Sequence, residues 1–135
     1  VEELQVEYTR LFIGPLDPRV QPYASCYLSS TPTVVSEETL AVREAYAKSG
    51  LIVERLNSLP DDHLGVEIEF LFALTRAAAD ADDATRSAGL VAARQDFLRR
   101  HFTTWSGRVV EGINTESVDP FFLAAASLLR SCLPS

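Results

Sequence analysis

The side chains with the most evident chemical potential lie midway along the chain, where an acidic turn leads into an apolar stretch. Asp61, Asp62 and His63 form the turn, and Glu67 and Glu69 follow within the apolar stretch. Burying a carboxylate without a partner costs several kcal/mol. These groups must therefore find partners inside the fold, line a groove that reaches water, or serve a ligand.

One chemistry that this spacing suggests is metal binding. His63 and Glu67 are one helical turn apart, as metal ligands on helices often are, and Asp62 precedes them. The three would form the centre of a metal-dependent hydrolase on a helical scaffold. A capping aspartate beside a surface His–Glu contact explains the same spacing more simply. We therefore predict neither a metal site nor an enzyme, and keep the hydrolase as an alternative.

Motifs for other catalytic or cofactor chemistry are missing from the sequence. Ser25 and Cys26 have no histidine near them in the chain to activate them as nucleophiles. The six glycines are scattered and form no phosphate-binding pattern. Cys26 and Cys132 show neither zinc-ligand nor disulfide-framework spacing, so we expect two buried free thiols. No cofactor is predicted.

Composition limits the class of protein. A chain of 135 residues with 47% apolar residues can form one hydrophobic core, which predicts a single domain over 1–135. The net charge of -7 argues against a nucleic-acid partner and favours a basic one. The apolar runs are far shorter than the roughly twenty residues that a membrane helix needs, and no signal-peptide pattern opens the chain. We expect a cytoplasmic protein without stable membrane insertion.

Helical periodicity and capping residues predict an all-α fold. A proline-rich loop at 14–35 interrupts the helices, and its aromatic residues imply that it packs. The start of the segment 64–79 alternates like a strand, but its content of Leu, Ala and Glu favours a helix. The predicted helices run over 2–12, from a cap at Ser36 to Gly50, from a cap at Asp61 or Asp62 to Ala79, along a stripe of Leu90, Phe97, His101, Trp105 and Val109 with a bend near Ser106-Gly107, and from Asp119-Pro120 to the C-terminus.

Three segments of the chain resemble the TorD/DmsD family of redox enzyme maturation chaperones. They are EYTRLFIGP at 7–15, PYASCYL at 22–28 and PDDHLGVEIEFL at 60–71, of which the third is the most specific. Two further segments are similar to the late helices of the family, so the resemblance spans nearly the whole chain. It implies a TorD-like helical bundle. Family members usually have additional helices before the first segment, which leaves an incomplete chain, a monomer and a domain-swapped homodimer open.

The resemblance also implies a function. Family members are cytoplasmic chaperones that hold the twin-arginine signal peptide of a molybdenum-cofactor oxidoreductase, and so its catalytic subunit, until the cofactor is loaded. Such a peptide presents two guanidinium groups followed by an apolar stretch, so its receptor needs carboxylates beside an apolar groove. We expect the polar turn to face outward beside that groove. The site carried onto this sequence comprises Asp62 and His63 with Asp61, Tyr23, Tyr27, Tyr8, Phe12, Glu67 and Glu69.

Structural roles compete with this site for several of its residues. Tyr8 and Phe12 also fit a hydrophobic core, and Glu7 beside them fits an ion pair with Arg10 or Arg43. The remaining alternative for the whole chain is an acidic helical domain that binds basic peptides without requiring paired arginines. The identity of the client oxidoreductase does not follow from the sequence.

Overall fold

The computed structural model describes residues 1–30, 36–51 and 58–134. Within these ranges the regular structure is helical, apart from isolated bridge pairing such as that between Tyr23 and His63, which confirms the all-α prediction. The helices are α1 (Glu2–Phe12), α2 (Ser25–Leu28), α3 (Glu37–Ser49), α4 (Leu64–Ala79), α5 (Ala84–Arg100), a short 3-10 helix (Phe102–Thr104), α6 (Ser106–Glu116) and α7 (Pro120–Ser131). None of the helices in the described ranges is long and apolar enough to cross a membrane.

The chain divides into two compact units. We call Tyr23–Thr104, which holds α2 to α5, the central unit. Val1–Pro22 and Trp105–Ser135, which hold α1, α6 and α7, form the terminal unit. A single domain over 1–135 stays a prediction.

Several helix ends follow directly from the capping residues that the sequence shows. Ser36 accepts a hydrogen bond from the backbone N–H of Thr39, and the Thr39 side chain accepts one from Ser36 in return. Gly50 ends α3 in the left-handed conformation, at φ 66°. Asp119 caps α7 through its side chain, and a proline opens that helix. Each such cap contributes about 0.5–2 kcal/mol to helix stability.

The start of α4 differs from the prediction. Its N-cap is His63, whose Nδ1 accepts a hydrogen bond from the Gly65 N–H at 3.0 Å. Asp61 and Asp62, the predicted caps, are buried and bind groups from other elements. The prediction of a cap at either aspartate was wrong because both carboxylates are buried and accept hydrogen bonds from α2 and α3 instead. The choice of helix over strand for 64–79 is confirmed.

The long helix predicted from Leu90 to Val109 is interrupted. α5 ends at Arg100, a 3-10 helix follows, and α6 begins at Ser106. At the break, Thr103 Oγ1 donates to the Leu98 carbonyl and Thr104 Oγ1 donates to the His101 carbonyl. Threonine hydroxyls that bind nearby carbonyls offer the backbone an alternative to helix, which explains the ending.

The predicted loop 14–35 contains one helical turn, α2, which the proline content did not indicate. Residues 31–35 lie outside the described ranges. Tyr23 packs edge-on against the His63 ring with 5.2 Å between the centroids, which confirms that the loop packs. The prediction that both cysteines are buried was wrong: Cys26 is partly exposed, and Cys132 is exposed at the C-cap of α7.

The terminal unit is held in part by a polar cluster around Glu7. Arg10 donates two hydrogen bonds to the Glu7 carboxylate, at 2.8 and 2.9 Å, and Ser117 Oγ donates a third at 2.7 Å. Arg10 also donates to the carbonyl of Glu116. The bonds from Arg10 and then from Ser117 lower the pKa of Glu7 from its usual 4.5 to about 2.

Replacing Glu7 by Gln should therefore destabilise the protein in a pH-dependent way. The folded state lowers this pKa, so the stabilisation is complete above about pH 4.5 and is lost as the pH falls toward 2. We expect the variant to unfold about 1 kcal/mol more easily at pH 7 and to approach the wild type near pH 2.5 in urea titrations. Glu3→Gln, an exposed change on the same helix, should show no such convergence. A gap for Glu7→Gln that is equal at pH 7 and pH 2.5 would contradict the argument.

Candidate functional site

Most of the predicted site residues belong to the central unit, and several of them lie together where α2 meets the start of α4. The antiparallel bridge between Tyr23 and His63 joins the two segments. The backbone N–H of Ala24 donates to the Asp62 carbonyl at 3.1 Å. We call this region, formed by Tyr23–Leu28 and Asp61–Gly65, the corner.

Asp62 is the internal anchor of the corner. Its side chain is fully buried. One carboxylate oxygen accepts a hydrogen bond from the Ser25 N–H at 2.8 Å, and the other accepts one from Thr39 Oγ1 at 3.2 Å. Asp62 thus ties the first turn of α2 and the first turn of α3 to the entrance of α4. Hydrogen bonds to a charged acceptor are stronger than neutral ones, so this carboxylate fixes the loop.

Asp61 is bound by two side chains of α3. It is 1% exposed, and its carboxylate accepts hydrogen bonds from the guanidinium group of Arg43 on α3. That bonding raises the pKa of Arg43. The Tyr46 hydroxyl donates to the Asp61 carbonyl at 2.7 Å, and burial, followed by the nearby carboxylates of Glu67, Asp61 and Asp62, raises the pKa of Tyr46. The tyrosine therefore remains a donor.

The expectation that this turn faces outward was wrong for its carboxylates. Asp61, Asp62 and also Glu67 are buried, and the two aspartates are bound by groups of their own chain. The physical reason is the cost of an unpaired buried charge, which draws donors from α2 and α3 around them. Sequence reasoning missed those donors because Thr39 and Arg43 carry no motif that marks them as partners of residues some twenty positions away.

The accessible part of the corner is largely aromatic. Tyr23, Tyr27 and His63 are each partly exposed, as is Glu69 on the following helix. Cys26 lies among them, and burial, with the charge of Asp62, raises the pKa of its thiol. A raised pKa leaves less of this thiol as the nucleophilic thiolate at neutral pH. The corner presents partly exposed rings and one partly exposed carboxylate above a buried charged frame.

Two predicted site residues, Tyr8 and Phe12, belong to the terminal unit. Their rings pack together with centroids 5.2 Å apart, and Phe12 also packs against Phe122 of α7 at 6.2 Å. Phe12 is half-buried and Tyr8 is exposed. For Phe12 this is the core role that the sequence analysis weighed against binding.

The metal-site alternative gains no support from the geometry. Nδ1 of His63 is occupied by the cap of α4. Across the described ranges, no group of three or more His, Cys, Asp or Glu side chains is placed to hold a metal ion. The spacing of His63 and Glu67 is accounted for by capping and by burial.

Comparison with known proteins identifies the class. The chain belongs to the family described as Nitrate reductase delta subunit, whose family model matches residues 1–111. It is 26% identical over 126 residues to "Chaperone protein TorD" of Vibrio cholerae serotype O1, covering 93% of this chain and 57% of that protein. It is 28% identical over 132 residues to "Tat proofreading chaperone DmsD" of Salmonella typhimurium, covering 98% of this chain and 59% of that protein.

These matches confirm the TorD/DmsD resemblance. The relatives are named as chaperones, not as enzymes. The chain spans somewhat under three fifths of the length of the curated relatives that it matches. None of the solved structures matches the chain significantly.

The structural role of Asp62 can be tested by Asp62→Asn. The amide keeps the shape but turns one acceptor into a donor that faces Ser25 N–H or Thr39 Oγ1. We expect a loss of about 1–3 kcal/mol in the free energy of unfolding, measured by urea denaturation. Asp82→Asn, at an exposed position before α5, serves as the control and should cost little. Equal stabilities of the two variants would show that Asp62 anchors nothing.

Proposed function

We propose that this protein is a maturation chaperone of the TorD/DmsD kind. It binds the twin-arginine signal peptide of a molybdenum-cofactor oxidoreductase in the cytoplasm and holds the catalytic subunit back from export until the cofactor is loaded. The observation that carries the proposal is the family match over 1–111, together with relatives named TorD and DmsD. Its activity is binding rather than turnover.

The residues of the corner have two different roles in this proposal. The buried carboxylates of Asp61 and Asp62 act as positioning groups, since their bonds fix the loop that carries the aromatic residues. Tyr23 and His63 pack edge to face and are partly exposed, so in this proposal their rings contact the peptide. Tyr27 and Glu69 extend that surface. Partly exposed aromatic rings held by a rigid frame are a common form of peptide-binding surface.

The charge of the protein favours the same partner. A net charge of -7 attracts a peptide that carries two arginines and repels acidic ones. The acidic helical domain of broader specificity differs from this proposal in one respect, because it would not distinguish paired arginines from other basic sequences. The preference for paired arginines over other basic sequences therefore distinguishes the two proposals.

Isothermal titration calorimetry with a synthetic signal peptide tests the proposed function directly. The probe contains two arginines followed by an apolar stretch, and the control peptide replaces both arginines by Gln. We expect binding of the first peptide to be at least about tenfold tighter, because each guanidinium can form a charge-assisted hydrogen bond worth about 1.5–3 kcal/mol. Equal affinities would favour the broader acidic domain, and no binding of either peptide would reject the proposal.

His63→Asn tests whether the corner contacts the peptide. Asparagine is among the residues most favoured at the N-cap of a helix, so α4 should begin normally. The substitution removes the imidazole ring that packs on Tyr23. We expect an unchanged free energy of unfolding and affinity for the arginine peptide reduced by about tenfold. His63→Ala, which removes the cap as well, should lower both quantities. Wild-type affinity in His63→Asn would remove the ring from the binding site.

A further inference from the structure

α7 contributes one side to the core of the terminal unit and leaves the other side in solvent. Phe122 and Ala126 are buried on the inner side, and the Phe122 ring packs on Phe12 with 6.2 Å between the centroids. On the outer side, Phe121 is 58% exposed and Leu128 is 70% exposed. Exposed apolar residues are ordinary when they stand singly, whereas several on one helix face mark a surface that contacts another molecule.

The exposed apolar residues of α7 are aligned along the helix, and we call them the outer stripe. The stripe consists of Phe121, Ala125, Leu128 and Cys132, all of which are exposed. Their successive spacings of four, three and four residues keep them on one face, because these average close to one helical turn. Cys132 is the C-cap of α7 and still has helical backbone angles, so it continues the stripe.

Large and small side chains alternate along the outer stripe in a way that makes it complementary to itself. Two copies of α7 packed antiparallel about a twofold axis would set Phe121 against Cys132 of the other copy and Leu128 against Ala125 of the other copy. Both pairs fit one register because they have the same midpoint in the sequence. Each level of the contact then joins one large side chain and one small one, as close helix packing requires. Parallel copies would instead set Phe121 against Phe121.

Electrostatics also favours contact between copies at this face. Each chain carries a net charge of -7, so two copies repel each other over most of their surface. α7 contains no Asp or Glu, whereas each of the other long helices of the described ranges, α1 and α3 to α6, contains at least one. The charged residue of α7 is Arg130, which lies 4.0 Å from Glu111 of α6. Asp119 caps one end of α7, so antiparallel packing keeps its two copies apart.

We propose that the outer stripe is a contact between two copies of this chain, packed antiparallel about a twofold axis. The occupant of the face is a second α7, which matches it in shape and brings no acid to it. The proposal concerns assembly and does not depend on peptide binding. It differs from a domain-swapped dimer because no element is exchanged. Two single helices bury less than the roughly 1,200–2,000 Å² of a standard interface, so we expect a reversible dimer with a dissociation constant on the order of micromolar.

Sedimentation equilibrium over a range of protein concentrations tests the contact. Leu128→Glu places a carboxylate in the middle of the outer stripe, and Leu40→Glu makes the same change at an exposed leucine of α3. We expect Leu128→Glu to weaken dimerisation at least about tenfold, because the carboxylates would have to be buried among apolar side chains. Leu40→Glu, which has the same net charge, should dimerise nearly as well as the wild type. Urea denaturation checks that both variants are folded.

Disulfide trapping tests the antiparallel register. With Cys26→Ala, Cys132 is the remaining cysteine, and its two copies would lie at opposite ends of the contact. Phe121→Cys adds a thiol beside Cys132 of the other copy, whereas the two thiols of one chain are about 16 Å apart along the helix and cannot bond. Diamide accepts the two electrons released by each disulfide. We expect Phe121→Cys to give a covalent dimer, and Ser127→Cys, an exposed change outside the stripe, to stay largely monomeric.

The two experiments decide the proposal together. A selective loss of dimer in Leu128→Glu and selective trapping in Phe121→Cys would support it. A wild type that is monomeric up to about 1 mM would overturn it, as would equal effects of Leu128→Glu and Leu40→Glu. Trapping through Cys132 alone that is as efficient as with Phe121→Cys would overturn the antiparallel arrangement.

Discussion

A carboxylate in a protein interior needs donors for its oxygens, and the central unit contains two such carboxylates side by side in sequence. Asp61 and Asp62 are buried, and the donors that reach them come from three different places: the first turn of α2, the first turn of α3 and the middle of α3. Two separate helices, α2 and α3, are thereby both bonded to the start of α4. An uncompensated buried charge costs several kcal/mol, so these bonds hold α2, α3 and the start of α4 together.

This constraint changes what the polar turn does. A motif rich in acids looks like a site for cations when it is read as sequence, and here its acids are structural while the neighbouring rings are accessible. Of the carboxylates predicted for the site, Glu69 alone is partly exposed. The same buried carboxylates hold α3 in place through Thr39 and Arg43.

Much of the fold could be predicted because its signals are local. The cap at Ser36, the proline after Asp119 and the glycine at position 50 act over a few residues, and each marks a helix end where the structure has one. The errors arose where hydrogen bonds of side chains, with distant donors in one case and with nearby carbonyls in the other, decided the outcome. The aspartates lost their capping role to His63 because donors from α2 and α3 bound them, and the helix through residue 101 ended because threonine hydroxyls bound backbone carbonyls. No periodicity carries that information.

The division into units has a consequence for the order in which the chain acquires structure. The central unit is one continuous segment, Tyr23–Thr104, whereas the terminal unit needs both Val1–Pro22 and Trp105–Ser135. Contacts between residues near in sequence form faster than those that close long loops. During synthesis the central unit can therefore assemble before Trp105 and the later residues emerge, and α1 must wait for α6 and α7. The corner, proposed above as a peptide-binding surface, would thus form before α1 packs with α6 and α7.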